Sequence, residues 1–185
     1  MKTMRIRELT LCALFCALTA VGAFLTIPLP YGQITLQWLF AVLTGFVLTP
    51  RAALLTQGGY LLLGLVGAPV FSGFSGGPSS VASPTFGFVL GMVACAPLVS
   101  LLLRAWTPRL RFARAALLSG LAGLAVTYLL GAVWGYAVMR LVLAQQVSPL
   151  FILWNWCLVY LPVDAIKLAA AVALAPSLRR IASKI

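Results

Sequence analysis

Leu9 to Pro50 is a run of 42 residues without a formal charge, and Ala52 to Leu103 is a second of 52. Ala115 to Met139 and Leu141 to Val163 add uncharged runs of 25 and 23. About 20 apolar residues cross the hydrocarbon core of a bilayer, so runs this long exceed what a buried core helix needs. Only 8% of residues are charged and 63% are hydrophobic, where a soluble domain carries roughly 25% charged residues. Such a chain cannot coat a water-facing surface. It reads as an all-α membrane protein, one integral domain over residues 1–185.

Turn-forming residues divide the runs into six spans, at about 9–27, 35–49, 52–68, 86–103, 115–143 and 149–178. The Pro-Leu-Pro-Tyr-Gly stretch at 28–32 ends the first, and Pro50-Arg51 separates the second from the third. Residues 69–85 are rich in Gly, Ser and Pro, which is loop composition inside an apolar run. An even number of spans puts both termini on one side. Eleven of the 13 cations fall on that side: Lys2, Arg5, Arg7, Arg51, Arg104, Arg109, Arg111, Arg114, Arg179, Arg180 and Lys184. The positive-inside rule therefore predicts cytoplasmic termini, with the segments at 28–34, 69–85 and 144–149 facing outward. The net charge of +11 is then a topology signal, with contact to anionic lipid as a by-product, and not the mark of a nucleic-acid binder. The first span, at 19 residues, is expected to be retained and not removed as a signal peptide.

The composition also excludes chemistry. The chain has no histidine, which removes Ser-His and Cys-His nucleophilic sites and HExxH zinc sites. Lys2, Lys167 and Lys184 are the only lysines and none follows a Gly-rich loop, so there is no Walker A motif and no ATP hydrolysis of its own. Two carboxylates and four cysteines without ligand spacing leave no metal site.

Two formal charges are expected deep in the membrane, Asp164 and Lys167. They stand three apart and so share one helix face. A buried ionisable group costs free energy and marks a functional site by default. A purely structural pair is the bland reading, yet apolar residues can replace such a pair at little cost. A carboxylate could meet Lys167 while N–H donors meet Asp164, which suits a zwitterionic or amide-like acid. The second and third spans, Thr35 to Thr49 and Ala52 to Val66, are about 22 Å long as helices, short for a core of about 30 Å. Loops dipping between them would plug the outer half of the bundle and frame a pocket. In those loops Gly73, Gly76 and Gly77 allow close backbone approach, the serines (Ser79 among them) supply hydroxyls, and Phe71 and Phe74 could cover an apolar ligand. Thr35 and Gln37 are uncharged hydrogen-bonding residues at the start of the second span. Trp38, Trp134, Trp154 and Trp156 read first as an interfacial belt, with one or two of them free to wall the pocket. Ala13 and Ala17, beside Cys12, Cys16 and Ala20, form a small-residue face fit for close helix packing.

Taken together the sequence resembles the BioY family, the biotin-binding S components of energy-coupling-factor (ECF) transporters. Ile34-Thr35-Leu36-Gln37, Tyr60 through Phe71, Gly76-Gly77, Pro84-Thr85, Gly87 and Pro162-Val163-Asp164-Ala165-Ile166-Lys167 carry the resemblance in order. Ala13 and Ala17 match the Ala-x-x-x-Ala face that S components use against their transmembrane partner. One departure is Ser83-Pro84-Thr85-Phe86-Gly87, where the family usually reads Gly-Pro-Thr-Gly-Gly. The resemblance implies an S-component bundle that captures biotin from outside. It has no cofactor or catalytic residue and is energised by a separate transmembrane coupling subunit and a pair of ABC-type ATPases. It places Asp164, Lys167, Gln37, Thr35, Tyr60, Phe71, Gly73, Gly76, Gly77, Ser79 and Thr85 at the ligand. An S component for another vitamin is the nearest alternative; an intramembrane enzyme using Asp164 and Lys167 is the distant one.

Overall fold

Glu8, at the first turn of the first helix, accepts a 2.6 Å hydrogen bond from Thr49 at the corner between the second and third helices. Contacts of this kind organise a helical bundle in the computed structural model, which describes residues 6–29 and 32–184. The helices are α1 (Ile6–Phe24), α2 (Gln37–Val47), α3 (Pro50–Leu65), α4 (Phe86–Trp106), α5 (Phe112–Ala137), α6 (Pro149–Ile152) and α7 (Leu161–Lys184). Four stretches among the described residues are long and apolar enough to cross a membrane: Ile6–Phe24, Phe86–Trp106, Phe112–Val142 and Leu161–Ser183. With 11 residues, α2 is only about 16 Å long, too short to cross alone. Lys2 and Arg5 of the predicted basic N-terminus lie outside the described residues.

The fold departs from the all-α expectation in one place. After α1 the chain forms an antiparallel hairpin, β1 (Thr26–Leu29) with β2 (Gly32–Thr35), pairing Thr26 with Thr35 and Ile27 with Ile34. The first span therefore stops at Phe24, and Thr35 belongs to a strand. All four of these facing residues are β-branched, which favours extended backbone.

The sixth predicted span is also not one helix. It comprises α6, a π-helical segment at Leu153–Leu158, a turn at Val159-Tyr160, and then α7. Pro162 falls in the first turn of α7, where its missing N–H breaks no intrahelical bond. A second π-helical segment, Val138–Val142, closes the α5 end.

The core explains the order of the helices. α4 and α5 approach closely because Gly91 lies against Thr127, Gly123 against Cys95 and Val99, and Gly131 against Phe88; a Cβ at any of them would collide. Buried Gln57 of α3 donates to Thr19 of α1 at 3.2 Å and to Thr44 of α2 at 3.3 Å, a polar tie between three helices. Met139, Ile152 and Trp156 make a separate small cluster beneath the residues that join α5 to α6.

Candidate binding site

Asp164 enters the first turn of α7, where a carboxylate is favoured by the helix dipole, and its N–H donates to the Tyr160 carbonyl at 3.0 Å. One turn on, Lys167 Nζ lies 2.6 Å from Asp164 Oδ1, and both side chains are under 10% exposed. The other oxygen, Oδ2, accepts from the Tyr128 hydroxyl of α5 at 2.6 Å. A cation, an anion and a phenol from two helices thus form one buried cluster. The ammonium carries three N–H groups and spends one on Asp164.

This cluster forms part of the wall of a cavity of about 270 Å³. Gly32 and Gln33 of the hairpin border it, as do Ser72, Ser75, Ser80, Ser83 and Thr85 of the 69–85 segment. Aromatic side chains complete the wall: Trp38, Phe71, Phe86, Phe88, Trp156 and Tyr160. The indole N–H groups of Trp38 and Trp156 and the Ser80 hydroxyl are buried there without a hydrogen-bond partner. A polar group left unpaired in this way costs roughly 1–3 kcal/mol.

A relay running from the wall to the residues behind it fixes its shape. Thr35 donates to Gln37 Oε1 at 3.0 Å, Gln37 Nε2 bonds the Tyr60 hydroxyl, and that hydroxyl donates to the Val70 carbonyl at 2.9 Å. Val70 is thereby held, and the next residue, Phe71, packs edge-on to Tyr60 and Phe86. The Phe71 ring occupies the space a Cβ on Gly64 would need, and Gly76 packs directly on the Ala68 carbonyl. Phe74, with the positive φ of 56°, stacks on Phe24 at 4.5 Å and ties this segment to the end of α1.

Of the eleven residues expected at a ligand, Thr35, Gln37, Phe71, Thr85, Asp164 and Lys167 line the cavity. Tyr60 stands behind the wall, 1% exposed. Gly73, Gly76 and Gly77 shape the backbone, with φ of 72° at Gly73 and 91° at Gly77, and exposed Ser79 is not on the lining. Ala13 and Ala17 are exposed on α1, away from the cavity; Ala13 borders a shallow apolar groove with Cys12, Cys16 and Gly59. Phe86, where the family usually has glycine, is 5% exposed and packs against Phe71 and Trp134. Trp38 and Trp156 are the two of the four tryptophans that line the cavity, while Trp154 is 63% exposed. Sequence reasoning missed Tyr128, Tyr160 and Gln33. The adjacent Thr127-Tyr128 pair in the middle of an apolar helix was the available signal, because polar groups inside a span need a partner.

Comparison with known proteins identifies the family and the fold. The model of the BioY family matches residues 1–184. The "Biotin transporter BioY" of Thermotoga maritima is 33% identical over 95% of this chain and 97% of its own length. The "Probable biotin transporter BioY" of Pyrococcus horikoshii is 37% identical over 71% of this chain and 75% of its own. The crystal structure of the S-component for biotin from an ECF-type ABC transporter superposes with a TM-score of 0.81, at 24% identity, over 96% of this chain and 95% of that one. Its fold is the fold seen here. With the whole-length family match and a relative that is a third identical along nearly the entire sequence, the chain belongs to the BioY family.

Proposed function

We propose that this chain is the biotin-capturing membrane subunit of an ECF-type importer, with biotin held in the cavity beside Tyr128, Asp164 and Lys167. The observation that carries the reading is this buried, hydrogen-bonded cluster at the wall of an otherwise aromatic and hydroxyl-lined cavity. Biotin has a neutral urea ring, an apolar thioether ring and a short acid chain, and the cavity offers a surface for each.

The charge balance favours one orientation. Asp164 already offsets Lys167, so a ligand carboxylate at this pair would leave a net negative charge in a poorly solvated site. A urea leaves the balance unchanged: its N–H groups donate to the Asp164 oxygens and its carbonyl accepts from the spare Lys167 donors. The urea ring therefore sits at the Tyr128–Asp164–Lys167 cluster, and the acid chain points toward Ser72, Ser75 and Ser83. Tyr60, Gly73, Gly76, Gly77 and Ser79 act by holding the 69–85 segment in shape over the ligand.

In the membrane the chain forms one domain of six spans with cytoplasmic termini. The cation distribution supports that orientation, and the short α2 and α3 cross together with the hairpin and the 69–85 segment filling the outer half. Ala13 and Ala17 face a transmembrane coupling subunit, and paired ATPases supply the energy that a chain without a Walker A motif lacks.

Calorimetric titration with biotin and biotinamide, on wild type and on Lys167→Met, tests both the ligand and its orientation. The expected result is one-site biotin binding that Lys167→Met weakens equally for acid and amide. Loss of the acid–amide difference in Lys167→Met would instead place the carboxylate at Lys167. Preference for riboflavin or thiamine in competition would move the chain to the other-vitamin reading.

A further inference from the structure

The chain has only two acidic residues, and the end of the molecule where α4, α5 and α7 meet is strongly basic. Glu8 is bonded to Thr49 at the α2–α3 corner and Asp164 is at the cavity. That end carries six arginines: Arg104 in the last turn of α4, Arg109 and Arg111 in the connection, Arg114 at the start of α5, and Arg179 and Arg180 near the end of α7.

Two of the six are held in place. The Arg179 guanidinium lies over the Phe112 ring, 5.3 Å from its centre. Arg104 Nε reaches Ser100 Oγ and its Nη2 reaches the Leu48 carbonyl, both at 3.4 Å, while Ser100 itself donates to Leu48 at 2.6 Å. Each guanidinium has five N–H donors, and most of those ten make no hydrogen bond among the described residues. Like charges gathered at one end of a bundle are unfavourable alone and favourable around a shared anion, and a planar donor fork suits phosphate.

We propose that this cluster binds the phosphate of an anionic phospholipid headgroup, with Arg104 and Arg179 as its principal ligands. Soluble phosphate offers the same headgroup chemistry, but the surroundings favour lipid. Leu101, Leu118, Leu174 and Ile181 on the same three helices are each 45% exposed or more, an apolar surface on which acyl chains can lie. The site is independent of what the cavity holds.

The test uses the full chain in neutral detergent, titrated with phosphatidylglycerol, phosphatidylcholine or inorganic phosphate, with bound lipid counted by native mass spectrometry. Wild type is expected to retain phosphatidylglycerol over phosphatidylcholine. The R104Q/R179Q variant should bind phosphatidylglycerol about 30-fold more weakly, at roughly fivefold per arginine. Arg140→Gln, which removes a cation beyond the far end of α5, should bind like wild type. Folding of each variant is checked by circular dichroism and gel filtration. The single variant R179K keeps the charge without the stacked fork, so it tests the same site if the double variant does not fold; it should bind measurably more weakly. Unchanged retention of phosphatidylglycerol by folded R104Q/R179Q or R179K would overturn the proposal. So would an effect of inorganic phosphate on wild type equal to that of phosphatidylglycerol, which would assign the cluster to a soluble anion.

Discussion

The Tyr128 hydroxyl donates to Asp164 across 2.6 Å from a helix 36 residues away in sequence, and so occupies the one carboxylate oxygen that Lys167 leaves open. Asp164 is thereby aimed from two sides, and its remaining lone pairs are presented in a fixed direction. If biotin sits as proposed, Tyr128→Phe should weaken it by about tenfold, the scale of a lost hydrogen bond to a charged group, while the melting temperature changes little. Calorimetry on the folded variant checks this; unchanged affinity would remove Tyr128 from the site.

Stability and binding should separate at the ion pair. Asp164→Asn or Lys167→Met alone leaves one buried group without its partner and should cost about 3–5 kcal/mol of stability. The double variant Asp164→Leu/Lys167→Met, apolar at both positions, should recover most of that stability and still fail to bind biotin. Thermal unfolding with parallel titration reads both. Recovery of binding in the double variant would make the pair merely structural.

A methyl group at Gly64 has no room, because the Phe71 ring fills that space. Gly64→Ala should displace the ring and the 69–85 segment at a cost of about 1–3 kcal/mol. It should also weaken ligand binding even though residue 64 does not line the cavity. Unaltered affinity together with an unaltered melting temperature would count against the relay through Tyr60 and Phe71.

The Phe24–Phe74 stack closes the segment against α1. An aromatic pair contributes roughly 0.5–1.5 kcal/mol, so Phe74→Ala should speed biotin release by about threefold to tenfold. Stopped-flow displacement measures that rate. An unchanged rate would show that release does not require this contact to part.

What the residues disclosed in advance follows from the physics of each feature. Uncharged runs longer than any core helix identified the membrane-spanning class, and the three-residue spacing of Asp164 and Lys167 put them on one face. The hairpin was hidden because Thr26 and Ile27 continue an apolar run, where periodicity does not distinguish strand from helix. The break at Val159-Tyr160 carries no glycine; Pro162 marks a bend there, and the π-helical segment before it has no local signature. Tyr128 was missed because its role exists only through a contact made in three dimensions. Gly76 was foreseen as a point of close approach, although the group it approaches, the Ala68 carbonyl, was not.

The central claim is tested most directly by titrating biotin into the purified, ligand-stripped chain and into its Asp164→Leu/Lys167→Met counterpart. The account predicts tight one-site binding to the wild type and none to the folded double variant. Absence of heat and of any melting shift in folded wild-type protein, or equal binding by both proteins, would contradict it.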